Sequence, residues 1–369
     1  MRKNTELYRF SVGMIPLWII FTIVLRRKSM NMIEIDGSFG EGGGQILRTS
    51  LSLAAITCRP VHFTKIRANR RKPGLMRQHR ICAVAATEIT GGKLTGAELN
   101  SQEMTFGPGS IRGGEYHFTT GSAGSTMLIA QTVVPILLQA SEPSRVFLEG
   151  GTHAPGAPVF DFFDRVFLPC LRRMGAEVTA RLVRTGFYPV GGGQVELEIQ
   201  PIREWRPLEL TAGGEKISGR IVAAGSGIDR EILEDEVRIT DELVGPGDWK
   251  TEILEADSPG PGNVVYLELL RKNITELFSV CGEYELPRKT VAKRVADMAK
   301  KYLDSGAAVG SFLADQLLLP MALGQGGKIL TLPPSPHAKT NAAVIQKFLA
   351  AEIEMNNLEN GTFMIEVKK

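Results

Sequence analysis

The sequence lacks paired cysteines, a recognisable metal motif and the common hydrolase and ATPase signatures. Its four cysteines (Cys58, Cys82, Cys170 and Cys281) are far apart and include no CxxC pair. This spacing excludes a disulfide scaffold and a cysteine zinc site, and it is typical of reduced core thiols in a cytosolic protein. HExxH, Walker GxxxxGK[ST] and Ser-His-Asp patterns are absent too, so a zinc protease, a P-loop ATPase and a serine hydrolase are excluded.

Neither sign of charge is in large excess, because the formal net charge is +3. The distribution is uneven, however. Residues 42–87 contain nine Lys or Arg and no acidic residue, whereas residues 213–307 contain 13 basic and 18 acidic residues. A local basic field in a nearly neutral chain favours a polyanion bound at one place over a nonspecific coat. A solvated charged face is the alternative.

Long hydrophobic runs are lacking as well. Val12–Leu25 is mostly apolar but is flanked by basic residues, and it is shorter than the roughly 20 residues that a membrane-spanning helix needs. No small-x-small cleavage site of a signal peptide is evident. We therefore expect residues 1–31 to be an N-terminal extension, disordered or a mis-assigned start, before a domain that begins at Met32. No membrane partner is predicted.

The most distinctive stretch that is present is Gly37–Thr49, with the sequence GSFGEGGGQILRT. Consecutive glycines let the backbone turn tightly and approach a ligand closely. A helix that begins there directs free N–H groups and a positive dipole end toward an anion. Glu41 is a candidate metal ligand and Arg48 a candidate phosphate ligand. A tight strand-to-helix turn without a ligand is the alternative.

The chain repeats one pattern three times: a glycine turn, a helix, a strand, a proline-containing loop, a second helix and strand. The turn-to-loop spacing is nearly constant, with Gly44 before Pro73, Gly124 before Pro155 and Gly310 before Pro336. The pattern predicts an α/β fold (α+β repeats) in which three βαβαββ-type units pack around a common core. The six predicted helices of the repeats are Gln45–Ile56, Leu75–Ile89, Thr126–Leu138, Val159–Met174, Phe312–Leu323 and Asn341–Glu354.

Residues 213–307 depart from the repeat. Their pattern predicts a small α+β insertion with strands at Ile217–Ala224 and Val264–Leu270 and helices at Asp229–Leu243 and Lys289–Ser305. No residues in this insertion have catalytic spacing. The predicted organisation is a three-repeat catalytic domain at 32–212 and 308–369, interrupted by an inserted domain at 213–307.

The sequence contains only five histidines. His79 lies in the basic cluster, and His337 lies in a proline-rich loop at the equivalent place of the third repeat. Because equivalent loops of packed α/β units are where sites are usually built, we expect these two loops to converge. Asp315 lies in a leucine-rich helix of the same repeat and needs a partner or a ligand there. A structural histidine and an exposed helix face are the alternatives.

Four motifs occur in a fixed order along the chain: EGGGQILR (Glu41–Arg48), IRANRRKPGLMRQH (Ile66–His79), FLADQLLLPMAL (Phe312–Leu323) and the HxxTN of Ser335–Asn341. GSAGS, GGT and YPVGGG (Tyr188–Gly193) lie between them. Together they resemble the RNA 3′-terminal phosphate cyclase family over nearly all of Met32–Lys369. The resemblance implies three repeats similar to the C-terminal domain of translation initiation factor three, with a thioredoxin-like insertion.

The resemblance also implies an ATP-dependent ligase that converts an RNA 3′-phosphate to a 2′,3′-cyclic phosphate. His337 would form a covalent histidine–AMP, and the AMP would pass to the RNA to give an RNA(3′)pp(5′)A end. RNA 3′-phosphate ends are the implied partner, ATP the cosubstrate and the cytoplasm the location. DNA ends and a dimer are left open.

Residue roles follow only where the motifs match. The implied nucleotide contacts are Gln131, Phe312, Leu313, Ala314, Asp315 and Gln316. The implied ligands of the RNA 3′-phosphate are Arg48, Arg67, Arg70, Gln78 and His79, since arginines pair bidentately with phosphate. Glu41 would hold Mg²⁺ or Mn²⁺.

Two other functions are considered. An inactive cyclase-like protein that binds ribosomal RNA as an assembly factor should lack the nucleophile, whereas His337, Asp315 and Glu41 are present. An enolpyruvyl-transferase-like enzyme is built from similar repeats, but the basic loop Arg67–Arg80 and the histidine loop argue against it.

Overall fold

The computed structural model describes residues 32–369. The predicted N-terminal extension, residues 1–31, lies outside the described residues. Within residues 32–369, no helix combines the length and the apolar character that crossing a bilayer requires.

The first unit consists of two strands that alternate with two helices, followed by a two-stranded hairpin. Its elements are β1 (Ile33–Asp36), α1 (Gly44–Thr57), β2 (Val61–Thr64), α2 (Arg77–Thr90), β3 (Lys93–Thr95) and β4 (Met104–Gly107). The two helices end at Cys58 and Gly91, both in the left-handed conformation that closes many helices.

The second unit has the same order of elements. They are β5 (Gly114–Thr119), α3 (Thr126–Leu137), β6 (Ser144–Gly150), α4 (residues 160–173), β7 (Val178–Arg184) and β8 (Gly193–Ile199). Helix α3 is capped by Ser125, whose hydroxyl accepts a hydrogen bond from the Leu128 N–H. Helix α4 contains a π-helical turn at Phe163–Phe167.

The insertion lies inside the third unit rather than before it. Strand β9 (Leu208–Leu210) opens the unit, and six elements intervene before the unit continues. They are β10 (Lys216–Ser226), α5 (Arg230–Val244), β11 (Trp249–Glu255), β12 (Gly262–Arg271), β13 (Thr275–Cys281) and α6 (Arg288–Ser305). The proposed bounds of the insertion remain residues 213–307.

The third unit then resumes and completes the same pattern. Its remaining elements are α7 (Ser311–Leu323), β14 (Gly327–Thr331), α8 (Pro336–Phe348), β15 (Glu352–Asn357) and β16 (Phe363–Lys368). Strand β9 pairs in parallel with β14 and thereby supplies the first strand that the other two units also have.

All three units form a four-stranded sheet with one topology. The strand orders are β1-β2-β4-β3, β5-β6-β8-β7 and β9-β14-β16-β15, and in each sheet the first two strands are parallel and the others antiparallel. The insertion forms its own sheet in the order β11-β10-β12-β13. The predicted mixed fold of repeated βαβαββ units is confirmed.

The helices pack against one another in the middle of the molecule, and the apolar face of each sheet covers them. Helix α1 contacts α2, α3 and α8, so all three units meet at this helix. One hydrophobic cluster runs through the three units, with Leu51, Val133 and Leu317 fully buried within it. A second cluster, which includes Ile221, Val295 and Tyr302, forms the core of the insertion.

Several sequence predictions need correction. The last helix, predicted at Asn341–Glu354, is Pro336–Phe348, and strand β15 follows it. The proline-rich segment predicts a loop, whereas Pro336 lies in the first helical turn, where its missing N–H costs nothing. Strands β9, β11 and β13 were not predicted. Cys58 is exposed, so only three of the four cysteines are core thiols.

Candidate active site

The glycine-rich turn brings an acidic and several basic side chains together. A Cβ atom on Gly43 would collide with the carboxylate of Glu41, and one on Gly44 would collide with Nε2 of His79 and lie 2.9 Å from Nη1 of Arg48. The absence of a side chain at these two positions lets the Glu41, His79 and Arg48 side chains lie directly against the backbone. Glu41 forms an ion pair with Arg70 across this turn.

His337 lies in the first turn of α8, facing the glycine-rich turn. Ser335 caps the helix by accepting a hydrogen bond from the Ala338 N–H at 3.1 Å. The His337 side chain is about half exposed, at 49%, and its Nδ1 lies 3.4 Å from Oε2 of Glu41. Partial burial lowers the pKa of His337 below its usual value, against the opposing influence of Asp315. The ring is therefore neutral at neutral pH.

The Thr and Asn of the HxxTN motif fix this arrangement. The Thr340 hydroxyl accepts a hydrogen bond from the Glu41 N–H at 3.1 Å, although the two residues are 299 positions apart. Asn341 Nδ2 donates to the carbonyl oxygen and to Oδ1 of Asp315, at 3.0 and 3.2 Å. The Oδ1 atom of Asn341 accepts a hydrogen bond from the Thr49 hydroxyl at 2.7 Å. Helices α1, α7 and α8 are thus held in register around His337.

Arg48 is buried and Asp315 is half-buried, and the two charged groups influence each other. Burial raises the pKa of Asp315 to about 6, although His337, Asn341 and Arg48 favour its ionised form. Burial likewise lowers the pKa of Arg48, and nearby Asp315 opposes that shift. Arg48 is only 9% exposed, and its Nη2 donates to Gln45 Oε1 at 2.6 Å.

These side chains line one wall of a cavity of about 670 Å³. The volume falls within the range of small-molecule sites. The first unit contributes Gln45 and Arg48, the second Gln131 and residues 154–159. The third unit contributes Phe312, Asp315, Gln316 and His337. The insertion contributes residues of β13 and α6, so the cavity lies where all four parts of the described chain meet.

Three buried polar atoms beside this cavity have no hydrogen-bond partner. They are Oε2 of Glu41, Nε of Arg48 and Oε1 of Gln316. Buried polar atoms are nearly always paired, and each exception requires an explanation. Their position at one cavity indicates that a polar ligand supplies the missing hydrogen bonds.

Comparisons with known proteins agree with this geometry. The profile of the RNA 3′-terminal phosphate cyclase (RTC) family matches residues 39–355. The chain belongs to the RNA 3′-terminal phosphate cyclase family. The resemblance predicted from the motifs is therefore confirmed, and with it the predicted enzyme class, a ligase of that family.

Two relatives carry the name RNA 3′-terminal phosphate cyclase. The protein from Pseudomonas fluorescens is 44% identical over 337 residues, which cover 91% of this chain and 98% of that protein. The protein from Koribacter versatilis is 43% identical over 334 residues, covering 90% and 94%. The solved structure of the enolpyruvyl transferase NikO from Streptomyces tendae aligns with 91% of this chain and covers 48% of the NikO chain. The identity is 14% and the TM-score is 0.34. This likeness is too weak to bear on fold or activity.

Six of the residues singled out by the cyclase motifs line the cavity: Arg48, Gln131, Phe312, Asp315, Gln316 and His337. The other seven do not: Glu41, Arg67, Arg70, Gln78, His79, Leu313 and Ala314. Leu313 and Ala314 are buried in the core between α7 and its neighbours, with exposures of 0% and 1%. Their side chains do not line the cavity. The neighbouring Phe312 does, and it is 59% exposed. Only every third or fourth residue of α7 can face the same way, because the helix turns once in 3.6 residues.

The basic loop of the first unit is organised mainly by its own backbone. Arg67 Nη1 donates to the carbonyl oxygens of Lys72 and Gly74 at 2.6 and 3.0 Å, so this side chain shapes the loop. Gln78 contacts the second unit, where its Oε1 accepts from the Ser125 N–H at 3.4 Å.

His79 is buried in the first turn of α2, directly after this loop, and is neutral. Its Nδ1 accepts a hydrogen bond from the Met76 N–H at 3.3 Å, so the proton is on Nε2, which faces Gly44. Burial and the positive charges of Arg48 and Arg67 lower the pKa of His79 to about 3. His79 is thus a neutral hydrogen-bond donor beside Arg48.

His153 occupies the place in the second unit that His337 occupies in the third, yet it is structural. The Thr152 hydroxyl accepts from the Gly186 N–H and in turn donates to His153 Nδ1 at 2.8 Å. His153 Nε2–H then donates to Asp161 at 2.9 Å. Both ring nitrogens are occupied and the ring is only 4% exposed. The repeat therefore preserves the position of the loop but not its chemistry.

Sequence reasoning missed the wall that the insertion provides. Leu277, Ser279 and Cys281 alternate along β13 and line the cavity, together with Arg294 and Met298 of α6. The sequence of β13, TELFSVC, has no regular alternation and gave no signal of this role. Nothing in the sequence indicates that this strand lies beside a helix from another unit.

Proposed function

We propose that the protein is an active, ATP-dependent RNA 3′-terminal phosphate cyclase with His337 as its nucleophile. One observation carries the proposal: the half-exposed His337 ring lies 3.4 Å from Glu41, in a cavity that also contains the Arg48 guanidinium. Arg70 pairs with the same Glu41. The proposed nucleophile therefore lies beside Glu41 and shares the cavity with Arg48, a proposed phosphate ligand.

The first step is transfer of AMP to the histidine. With the proton on Nδ1, the lone pair of Nε2 would be free to attack the α-phosphorus of ATP. A P–N bond forms and the bond to pyrophosphate breaks. Neutral imidazole is a good nucleophile, and its lowered pKa keeps it neutral at physiological pH.

The second and third steps build and open an activated RNA end. An oxygen of the RNA 3′-phosphate attacks the phosphorus of histidine–AMP, and the imidazole leaves, giving RNA(3′)pp(5′)A. The neighbouring 2′-OH then attacks the RNA 3′-phosphorus, loses its proton and expels AMP. The product is the 2′,3′-cyclic phosphate.

The proposed substrate contacts follow from the cavity. Gln131, Phe312, Asp315 and Gln316 line it and would contact ATP, with Leu313 and Ala314 contributing only backbone atoms. Arg48, Arg70 and the Nε2–H of His79 would hold the RNA 3′-phosphate, while Arg67 and Gln78 position their loop. The unpaired Nε of Arg48 offers the second donor that bidentate phosphate binding needs.

Glu41 is the proposed ligand of Mg²⁺ or Mn²⁺. Within residues 32–369, no three His, Cys, Asp or Glu side chains lie close enough to hold a metal ion by themselves. Mg²⁺ is commonly held by one or two carboxylates together with substrate phosphates and water, and the unpaired Oε2 of Glu41 fits that donor set. The ion would neutralise phosphate charge and orient the leaving group.

The proposal is limited to RNA ends, because nothing in residues 32–369 favours DNA ends or a dimer. A cytoplasmic location is part of it, in keeping with four free cysteines.

Incubation with α-³²P-labelled ATP and a divalent metal tests the proposal. Wild-type protein should acquire an acid-labile label, and His337→Ala should acquire none. His117→Ala is the matched control, because His117 is exposed on the sheet of the second unit and should leave labelling intact. Absence of label on the wild type would instead favour an inactive RNA-binding relative.

A further inference from the structure

Two motifs shared with the cyclases, GSAGS and YPVGGG, have no part in the chemistry above. They form adjoining loops on the second unit, beside the basic loop of the first. We propose that these loops carry the RNA strand away from the 3′-phosphate site, with Tyr188 as a stacking platform for a base. The inference rests on the proposed function, since it takes a single-stranded RNA end as the occupant.

A continuous series of contacts leads from the phosphate cluster to Tyr188. Arg77 Nη1 donates to the Gly121 carbonyl at 2.9 Å, and Gln78 accepts from the Ser125 N–H. On the far side of that loop, a Cβ atom on Gly191 would lie 2.6 Å from the Ser122 carbonyl oxygen. We call residues 76–78, 121–125 and 187–191 together the three-loop surface.

Backbone hydrogen bonds hold two loops of the three-loop surface in place. The Gly191 N–H donates to the Phe187 carbonyl at 2.7 Å, and the Gly151 N–H donates to the Gly124 carbonyl at 2.9 Å. Gly191 has a φ of +74°, and a side chain there would collide with the neighbouring loop. The YPVGGG glycines therefore fix the direction in which Tyr188 projects.

The side chains that this scaffold presents are unusually exposed for their type. Tyr188 is 56% exposed, Val190 49% and Met76 40%. Phe187, which directly precedes Tyr188, is only 2% exposed and anchors the loop in the core. A rigidly held, exposed aromatic ring offers a stacking face to any base and needs no base-specific hydrogen bond.

Charge favours RNA over an apolar partner. Residues 67–80 contain six basic and no acidic residues, and exposed Arg77 lies at the border between this segment and the GSAGS loop. The insertion lines part of the cavity, which ATP would fill. When the RNA 3′-phosphate binds beside Arg48 and His79, the upstream strand therefore lies along the three-loop surface. The basic segment binds its phosphates, and Tyr188 stacks on a base.

The affinity of a 3′-phosphorylated RNA decamer, measured by fluorescence anisotropy without ATP, tests the inference. Tyr188→Ala should weaken binding roughly tenfold, the usual contribution of one stacked base. Tyr188→Phe keeps the ring and should bind as the wild type does. A nucleoside 3′-phosphate, which has no upstream strand, should bind wild type and Tyr188→Ala equally.

Tyr284 provides a matched control on another surface. It is 95% exposed, in the loop between β13 and α6 next to cavity-lining Glu283. Tyr284→Ala should not change RNA affinity. If Tyr284→Ala weakens decamer binding and Tyr188→Ala does not, the strand leaves over the insertion and the inference is wrong.

Crosslinking of the wild-type protein makes the test independent of any folding defect. A decamer with 4-thiouridine next to its 3′-terminal nucleotide, or one residue further upstream, should crosslink to a peptide containing residues 187–191 or 121–125. Crosslinks confined to other segments would overturn the inference. ATP labelling of His337 is read separately, so a protein that is labelled normally but crosslinks elsewhere refutes the RNA path and leaves the proposed function standing.

Discussion

Oε1 of Glu276 accepts a hydrogen bond from the backbone N–H of Gly310 at 2.6 Å. Glu276 belongs to β13 of the insertion, and Gly310 is the N-cap of α7, the helix that carries Phe312, Asp315 and Gln316. The carboxylate is 1% exposed. The insertion therefore holds the start of the proposed nucleotide-binding helix directly, besides lining the cavity.

Glu276 should make the stability of the protein depend on pH. Burial raises the pKa of Glu276 to about 8, so the folded protein binds a proton that the unfolded chain releases near the ordinary value of 4.5. Its contribution to stability is complete below pH 4.5 and is lost as the pH rises through about 8. Urea unfolding at pH 6 and pH 9 should show a larger loss for the wild type than for Glu276→Gln.

The glutamine variant retains an acceptor for the Gly310 N–H, so at pH 6 its unfolding free energy should match the wild type within about 1 kcal/mol. Exposed Glu255 is the control, and Glu255→Gln should follow the wild type at both pH values. Equal pH sensitivity of Glu276→Gln and the wild type would contradict the assignment.

The rate of self-adenylation should fall as the pH drops below about 7 and should not change with pH above 7. The pKa of His337 is lowered below 6.5, and Asp315 titrates near pH 6. At pH 7 the His337 ring is therefore neutral and Asp315 is ionised, and both groups become protonated as the pH falls. The initial rate of labelling from α-³²P-ATP, measured from pH 5 to pH 9, should show this single acid limb.

Asp315→Asn should shift that limb to lower pH. The negative charge of Asp315 favours protonated His337, so its removal lowers the pKa of the imidazole further. A limb that moves to higher pH would show that Asp315 does not act on the nucleophile in this way.

Arg48→Lys should reduce kcat/KM for a 3′-phosphorylated RNA by about 10-fold or more. Lysine retains the charge but cannot reproduce the planar guanidinium fork that binds phosphate bidentately. Arg80→Lys is the matched control: Arg80 is exposed, and its Nε donates to the Ala97 carbonyl at 3.1 Å, away from the site. Steady-state kinetics with RNA varied should separate the two; similar losses in both variants would argue against a phosphate site at Arg48.

Gln316→Met should weaken ATP binding without destabilising the protein. The Gln316 Oε1 is buried and unpaired, so an apolar side chain of similar length removes an unsatisfied acceptor at little or no cost. If ATP supplies the missing hydrogen bond, its KM should rise several-fold while the thermal midpoint stays equal or increases. A lower midpoint with an unchanged KM would assign Gln316 to packing instead.

The sequence made the repeats visible because each unit must bury the same faces. Helices of period 3.6 and alternating strands recur after each glycine turn, and the observed sheets repeat one strand order three times. Element bounds were less predictable where neighbours decide them. Residues 349–354 contain good helix formers, but pairing with β16 makes Glu352–Asn357 a strand.

In the candidate site, too, the chemical groups were predictable from the sequence, whereas their burial was not. The motifs identified His337, Glu41 and Arg48 as chemical groups, since catalysis requires particular side chains and the resemblance preserves them. Burial could not be read from the motifs: Leu313 and Ala314 belong to the same FLADQ segment as Gln316, yet they face the core. Likewise His153 and His337 occupy equivalent loops, and only hydrogen bonding distinguishes the structural ring from the half-exposed one.

The sequence by itself determined the three-fold repetition, the family and the set of candidate side chains, because periodicity and residue chemistry are local properties. Only the tertiary structure decided which of these side chains meet. Glu41 and Thr340 join across 299 residues, and β13 of the insertion closes a cavity built from three other units. Such contacts depend on how whole helices and sheets bury their apolar faces, and that burial sets the distances, the unpaired atoms and the shifted pKa values on which the proposed chemistry rests.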